Sequence, residues 1–100
     1  MIRKLAALVV VPFLVLMTPV HAQSMRLEGI VTSRFDQPVQ GVTMTIGNYS
    51  VVTDRRGRYA FDYLRPGRYV VTVSPRDKRP RSFPVAVTAN PTRVNFRIDW

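Results

Sequence analysis

From residue 26 to residue 98 apolar side chains fall on alternate positions, and Gly, Pro, Asp and Asn break the alternation at short intervals. A period of two gives each segment one apolar face, which a strand presents and a helix does not. Leu27, Gly29 and Val31 share one face of a first strand, with Arg26, Glu28, Ile30 and Thr32 on the other. Residues 33–41 (SRFDQPVQG) read as a connection, and Val42, Met44 and Ile46 carry a second strand to a turn at Gly47 and Asn48. Residues 49–53 are a short third strand. In the turn that follows, Asp54 can accept a hydrogen bond from an amide two residues on, and Gly57 supplies left-handed backbone to close the strand pair. Tyr59 and Phe61 alternate with polar residues in a fourth strand, then Arg65, Pro66 and Gly67 suit a type II turn. Tyr69, Val71 and Val73 face one way in a fifth strand while Val70 faces the other, the mark of an interior strand. Residues 74–81 (SPRDKRPR) make a polar hairpin or loop before a sixth strand on Phe83, Val85 and Val87; after Asn90 and Pro91 a seventh carries Val94, Phe96 and Ile98. The expected fold is all-β: a seven-stranded, two-sheet β-sandwich with Greek-key, immunoglobulin-like character.

Ahead of this pattern, residues 1–22 read as a cleavable signal peptide. Arg3 and Lys4 precede an apolar run over residues 5–17, and Val20, His21 and Ala22 place small residues where a signal peptidase reads them. The run is shorter than the roughly 20 residues of a comfortable membrane span, and no later run is apolar enough for one. The expectation is therefore a single exported domain, residues 23–100, in the periplasm or secreted. It has no cysteine, so packing and backbone pairing must stabilise it without disulfides.

Without Arg3 and Lys4, 13 of the 15 cations remain against 6 carboxylates, a net charge of +7, and every one of the 13 but Lys78 is arginine. Arginine favours planar, multidentate contacts to carboxylate or phosphate. Arg55, Arg56, Arg58, Arg65 and Arg68 lie in or beside two turns around the fourth strand, and Arg76, Lys78, Arg79 and Arg81 lie in one loop; these are the candidate contacts to an anion or an acidic partner. Turns at the two ends of a strand lie at opposite ends of a sandwich, so either one basic patch or two would fit. Solvated loop charge that merely keeps the domain soluble is the plain alternative.

The stretch TDRRGRYAFDYLRPGRYVV, residues 53–71, resembles the carboxypeptidase regulatory-like, or transthyretin-like (prealbumin-like), domain family, whose pattern runs Thr-Asp-x-x-Gly-x-Tyr-x-Phe-x-x-Leu-x-Pro-Gly-x-Tyr. The segments LEGIVT (residues 27–32) and PVQGVTMTI (residues 38–46) resemble the opening of the same family, and the resemblance extends over roughly residues 26–98. It implies structural roles for Asp54, Gly57, Tyr59, Phe61, Leu64, Pro66, Gly67 and Tyr69, with Leu64 closing one end of the sandwich. Arg56 stands where such domains commonly carry an acidic residue or asparagine, so any cation-holding use of that loop is not expected here. The resemblance implies an accessory module that stiffens, spaces or binds.

Chemistry is limited by the inventory. The one histidine, His21, lies in the signal peptide, so residues 23–100 lack both histidine and cysteine. That removes Ser-His-Asp and Cys-His catalysis and any zinc site of imidazole or thiolate. The carboxylates are scattered and sit near arginines or in turns, which favours their charged form over a general acid. A calcium site on Asp54 and Asp62 is opposed by Arg55 and Arg56, and turn capping explains Asp54 without it. No cofactor is expected, and no nucleic acid either, since no aromatic platform is interleaved with the basic residues. Tyr49 and Phe35 lie in or near loops, and Trp100 reads as a satellite of the core beside Phe96. The expectation is a non-catalytic exported module that mediates protein interaction or scaffolding in the cell envelope through a sheet edge and arginine-bearing loops. The alternative is a module that binds carbohydrate or an anionic surface such as lipopolysaccharide or lipid headgroups.

Overall fold

The alternation resolves into eight strands: β1 (Met25–Ser33), β2 (Thr43–Ile46), β3 (Tyr49–Val52), β4 (Arg58–Leu64), β5 (Gly67–Ser74), β6 (Arg81–Val87), β7 (Thr92–Arg93) and β8 (Phe96–Ile98). The computed structural model describes residues 24–100; the expected signal peptide lies outside the described residues. One sheet has β1 at its centre, antiparallel to β4 on one side and parallel to β7 and β8 on the other. The second has the order β3-β2-β5-β6, all antiparallel, so β5 is the interior strand its two apolar faces suggested. Pro84 lies on the edge strand β6, where a missing backbone donor is tolerated.

The core is the inner face of each sheet. Leu27, Val31, Tyr59, Phe61, Leu64, Phe96 and Ile98 come from the first, and Met44, Ile46, Val71, Val73, Val85 and Val87 from the second, with Val42 just ahead of β2. Each such side chain contributes about 1.5–3 kcal/mol when taken fully from water. Six rings run through the layer in an unbroken series, Tyr49 to Phe61, Tyr59, Phe96, Phe83 and Trp100, with successive centroids 4.9–6.0 Å apart. Trp100 packs on Phe83 and reaches Phe96 only through it, so the tryptophan is a satellite of the core at one remove from the residue expected.

Three expectations are corrected. The expected seventh strand is two strands, β7 and β8. It breaks because the backbone at Val94 lies directly on Gly29, where even a methyl group would collide with the Val94 carbonyl. The Val94 amide still donates to the Glu28 carbonyl (3.0 Å), but the Ile30 amide finds the Asn95 side-chain oxygen (3.0 Å) instead of a backbone partner. Next, the turn at Asp54 to Gly57 does not close a hairpin, since β3 and β4 belong to different sheets; it is a corner between layers. Lastly, Gly67 has φ 155°, far from the +80° or so of a type II turn, and β4 and β5 also lie in different sheets, so residues 65–66 are an open crossover.

A bulge explains why Leu64, and not Tyr63, continues the buried face of β4. Met25 pairs with Leu64 and Leu27 with Phe61, so β4 spends three steps where β1 spends two. Tyr63 takes φ 63° and turns outward, and the displaced Asp62 amide donates to the Tyr49 hydroxyl (3.0 Å). That ring also meets Phe61 edge-on, tying β3 to β4 across the layer gap.

Candidate functional site

Strand register decides which basic loops share an end. Thr43 pairs with both Val52 and Ser74, so the β3–β4 corner and the β5–β6 loop leave from the same end of the second sheet. The Val31 amide donates to the Gly57 carbonyl (2.7 Å), and β8 runs parallel to β1, with Ser33 beside Ile98. The ends of β1 and β8 therefore join them. Of the candidate contacts, this end gathers Arg55, Arg56, Arg58, Arg76, Lys78, Arg79 and Arg81. Arg65 and Arg68 lie at the opposite end, where Gly67 pairs with Val87. The charge thus forms one dominant cluster and a minor pair.

Two cations that the sequence reading did not single out, Arg34 and Arg97, belong to the same end. Arg34 directly follows β1. Arg97 arrives there through the parallel pairing of β8, for which no local sequence signal exists.

Each loop at this end is held by its own chemistry. In the corner, Asp54 Oδ1 accepts from the amides of Arg56 and Arg58 (2.9 Å each), its carbonyl accepts from Gly57 (2.9 Å), and Oδ2 pairs with Arg58 Nε (3.1 Å). The Arg58 amide, followed by that of Arg56 and the Arg58 side chain, holds the Asp54 carboxyl below its ordinary value. Asp54 is a turn cap, while Asp62 pairs separately with Arg26 (2.7 Å); among the described residues no group of three acidic, His or Cys side chains could hold a metal. Gly57 has φ 72°, and a Cβ there would sit 2.5 Å from the Val31 carbonyl oxygen, so the corner requires glycine twice over.

The β1–β2 loop begins with a tight turn. The Ser33 hydroxyl accepts from the amides of Phe35 (3.1 Å) and Gln37 (3.3 Å), and Arg97 donates to the Arg34 carbonyl. Farther along, Thr53, 3% exposed, donates to the Val39 carbonyl (2.7 Å) and accepts from the Val42 amide (2.9 Å), fixing both valines. Across from it, Trp100 Nε1 donates to the Arg79 carbonyl (2.8 Å), and the Arg81 guanidinium lies 4.7 Å from the tryptophan ring centroid.

Between the β1–β2 and β5–β6 loops lies a cleft of about 490 Å³. Val39, Val42 and Ile98 form its apolar floor, and Phe35, Arg34, Arg76, Asp77 and Lys78 stand around it. Phe35 is 73% exposed on its pinned turn, with Arg34 5.3 Å from its ring centroid. Among the described residues, Arg34, Arg55, Arg56, Arg76, Lys78, Arg79 and Arg81 make no ion pair with a carboxylate, whereas Arg97 reaches Asp36 at 3.9 Å. The carboxylate of Glu28, by contrast, is spent on Arg26 (2.7 Å) and Arg93 (3.1 Å) on the outer face of the first sheet. Arg26 first, then Arg93, holds Glu28 below its ordinary value.

Several of the residues in the TDRRGRYAFDYLRPGRY stretch are fixed by packing or by a hydroxyl. Tyr59, Phe61 and Leu64 are buried, the Tyr59 hydroxyl donates to the Val94 carbonyl (2.5 Å), and the Tyr69 hydroxyl donates to the Arg65 carbonyl (2.6 Å), bracing the crossover that holds Pro66 and Gly67. Burial raises the Tyr59 pKa well above that of a free phenol, so the ring stays neutral.

Residues 26–99 match the carboxypeptidase regulatory-like domain. Colossin-B of Dictyostelium discoideum is 31% identical over 65 residues, and the aligned region covers 49% of this chain but only 2% of that protein. Among solved structures, the chain is similar to the dioxygenase domain of a dioxygenase carbohydrate-binding protein fusion from Streptomyces sp. SirexAA-E, with TM-score 0.64 and 14% identity over 84% of this chain and 85% of that one. It is also similar to a type II cohesin–X-dockerin complex from Acetivibrio cellulolyticus, with TM-score 0.62 and 22% identity over 75% of this chain and 56% of that one. At these identities the solved structures establish the fold.

Proposed function

The chain belongs to the carboxypeptidase regulatory-like domain family, and from that premise we propose that it is an exported, non-catalytic protein-interaction module of the cell envelope that docks its partner on the basic end of the sandwich. The family is non-catalytic, and residues 23–100, with neither His nor Cys, carry no Ser-His-Asp or Cys-His constellation, which is in keeping with a binding role. The observation that carries the docking reading is the gathering onto one end, from three loops, of arginines that make no ion pair among the described residues, two of which, Arg34 and Arg76, border a cleft with an apolar floor. Charge kept only for solubility needs neither a shared end nor loops fixed by their own hydrogen bonds. Preset loops lower the ordering cost of association. One fold neighbour, part of a cohesin–X-dockerin complex, is in keeping with a binding role. Export rests on the sequence pattern of residues 1–22.

Site-specific photocrosslinking in the native host tests this. A crosslinking residue at Arg55, Arg76 or Arg79 is expected to give one discrete protein adduct, and the same residue at Arg65 or Arg68 none. Equal labelling from both ends, or adducts with polysaccharide or lipid alone, would contradict it; the latter would establish the anionic-surface alternative.

A further inference from the structure

The cleft at the basic end is more specific than its charge. Its floor is aliphatic, and an exposed aromatic ring stands beside it. A cluster of cations that served only to attract anions would have no use for Phe35, 73% exposed and held outward on a hydrogen-bonded turn beside an apolar floor. Val42 and Ile98 are themselves core residues, 1% and 6% exposed, so they stop the cleft from running on into the interior. A long acyl chain would find no channel there. A single leucine-sized or phenylalanine-sized side chain would be covered by the floor and by Phe35.

We propose that this cleft captures a short acidic peptide segment of the partner, taking one apolar side chain onto Val39, Val42 and Ile98 under Phe35 while flanking carboxylates meet Arg34, Arg76 and Lys78. The inference rests on the reading of the basic end as the docking end. Arg34 and Arg76 supply planar forks for bidentate contact with carboxylates, and neither is neutralised by an ion pair within the described residues. Asp77, also on the rim, disfavours a continuous run of carboxylates and favours a segment in which a neutral residue interrupts the charge. The walls are fixed before binding. Thr53 holds the floor valines, Ser33 and Arg97 hold the turn of Phe35, and Trp100 holds the Arg79 carbonyl of the facing loop.

The test is fluorescence anisotropy of the purified protein with two labelled nonapeptides, glutamates around a central leucine and glutamates around a central serine, and with phosphatidylglycerol vesicles. Burying the leucine side chain corresponds to about a tenfold or greater advantage for the first peptide. Phe35→Ser should erase most of that advantage while leaving the serine peptide unchanged, and Arg76→Glu should weaken both peptides. Phe35 and Arg76 are exposed, so neither variant threatens folding. Equal affinities for the two peptides, both weakened by Arg76→Glu, would overturn the cleft and leave basic-end docking standing. Binding of neither peptide, or binding indifferent to Arg76→Glu, would overturn both readings. Vesicles bound in preference to either peptide would overturn the assignment to a protein segment.

Discussion

Thr53 illustrates how one side chain can serve fold and site together. Its hydroxyl satisfies the buried Val42 amide and the part-buried Val39 carbonyl, so Thr53→Val takes a partner from two backbone groups at once. A loss of about 2–3 kcal/mol in urea unfolding is expected, against near neutrality if the hydroxyl were dispensable. Tyr63 presents the opposite case. A non-glycine residue at φ 63° is strained, and its ring is 87% exposed, so nothing in the packing offsets the strain. Tyr63→Asn should stabilise the domain by roughly 1 kcal/mol, and a destabilised variant would show that the ring has a structural partner after all. Asp54 sets a pH dependence. Its folded pKa is lowered, so its stabilisation is present above the unfolded value near pH 4 and is lost as pH falls through the folded value. Stability should decline below about pH 4, and Asp54→Asn should flatten that decline in pH-dependent unfolding curves; an unchanged slope would assign the acid limb elsewhere, to Glu28 first.

At the scale of elements, turn chemistry was legible and sheet membership was not. The sequence predicts the Asp54 cap and the glycine at position 57, and both hold, because an aspartate meeting its own following amides is a local event. Whether a turn joins neighbours in one sheet or bridges two layers depends on distant pairing, so the corner was read as a hairpin end. The same limit hid the division of the last strand into β7 and β8. The alternation of Val94, Phe96 and Ile98 is that of one strand, and the interruption comes from Gly29, more than sixty residues earlier. Gly29→Ala should therefore cost roughly 1–3 kcal/mol although the position lies in the middle of a regular strand, where alanine is ordinarily harmless. A variant as stable as the parent, measured by thermal or urea unfolding, would mean that β7 and β8 can move off β1.

For the whole molecule, the sequence supplied nearly all the cations of the site but not their arrangement. Seven of the nine candidate contacts converge on one end because Thr43 pairs with Val52 on one side and Ser74 on the other, a register that no local pattern encodes. The apolar floor was legible only as core, since Val42 and Ile98 follow the same alternation as every other buried residue. The central claim is that one end of the sandwich, and neither its faces nor its edges, receives the partner. It is tested most directly by an amide-resolved NMR titration of the protein with the leucine-centred acidic nonapeptide at physiological salt, where the Debye length of about 8 Å suppresses diffuse attraction. Saturable shifts confined to residues 33–42, 53–58, 75–81 and 97–100, with residues 65–68 silent, are the predicted result. Shifts divided between both ends of the sandwich, or running along the open edge of β6, would contradict it.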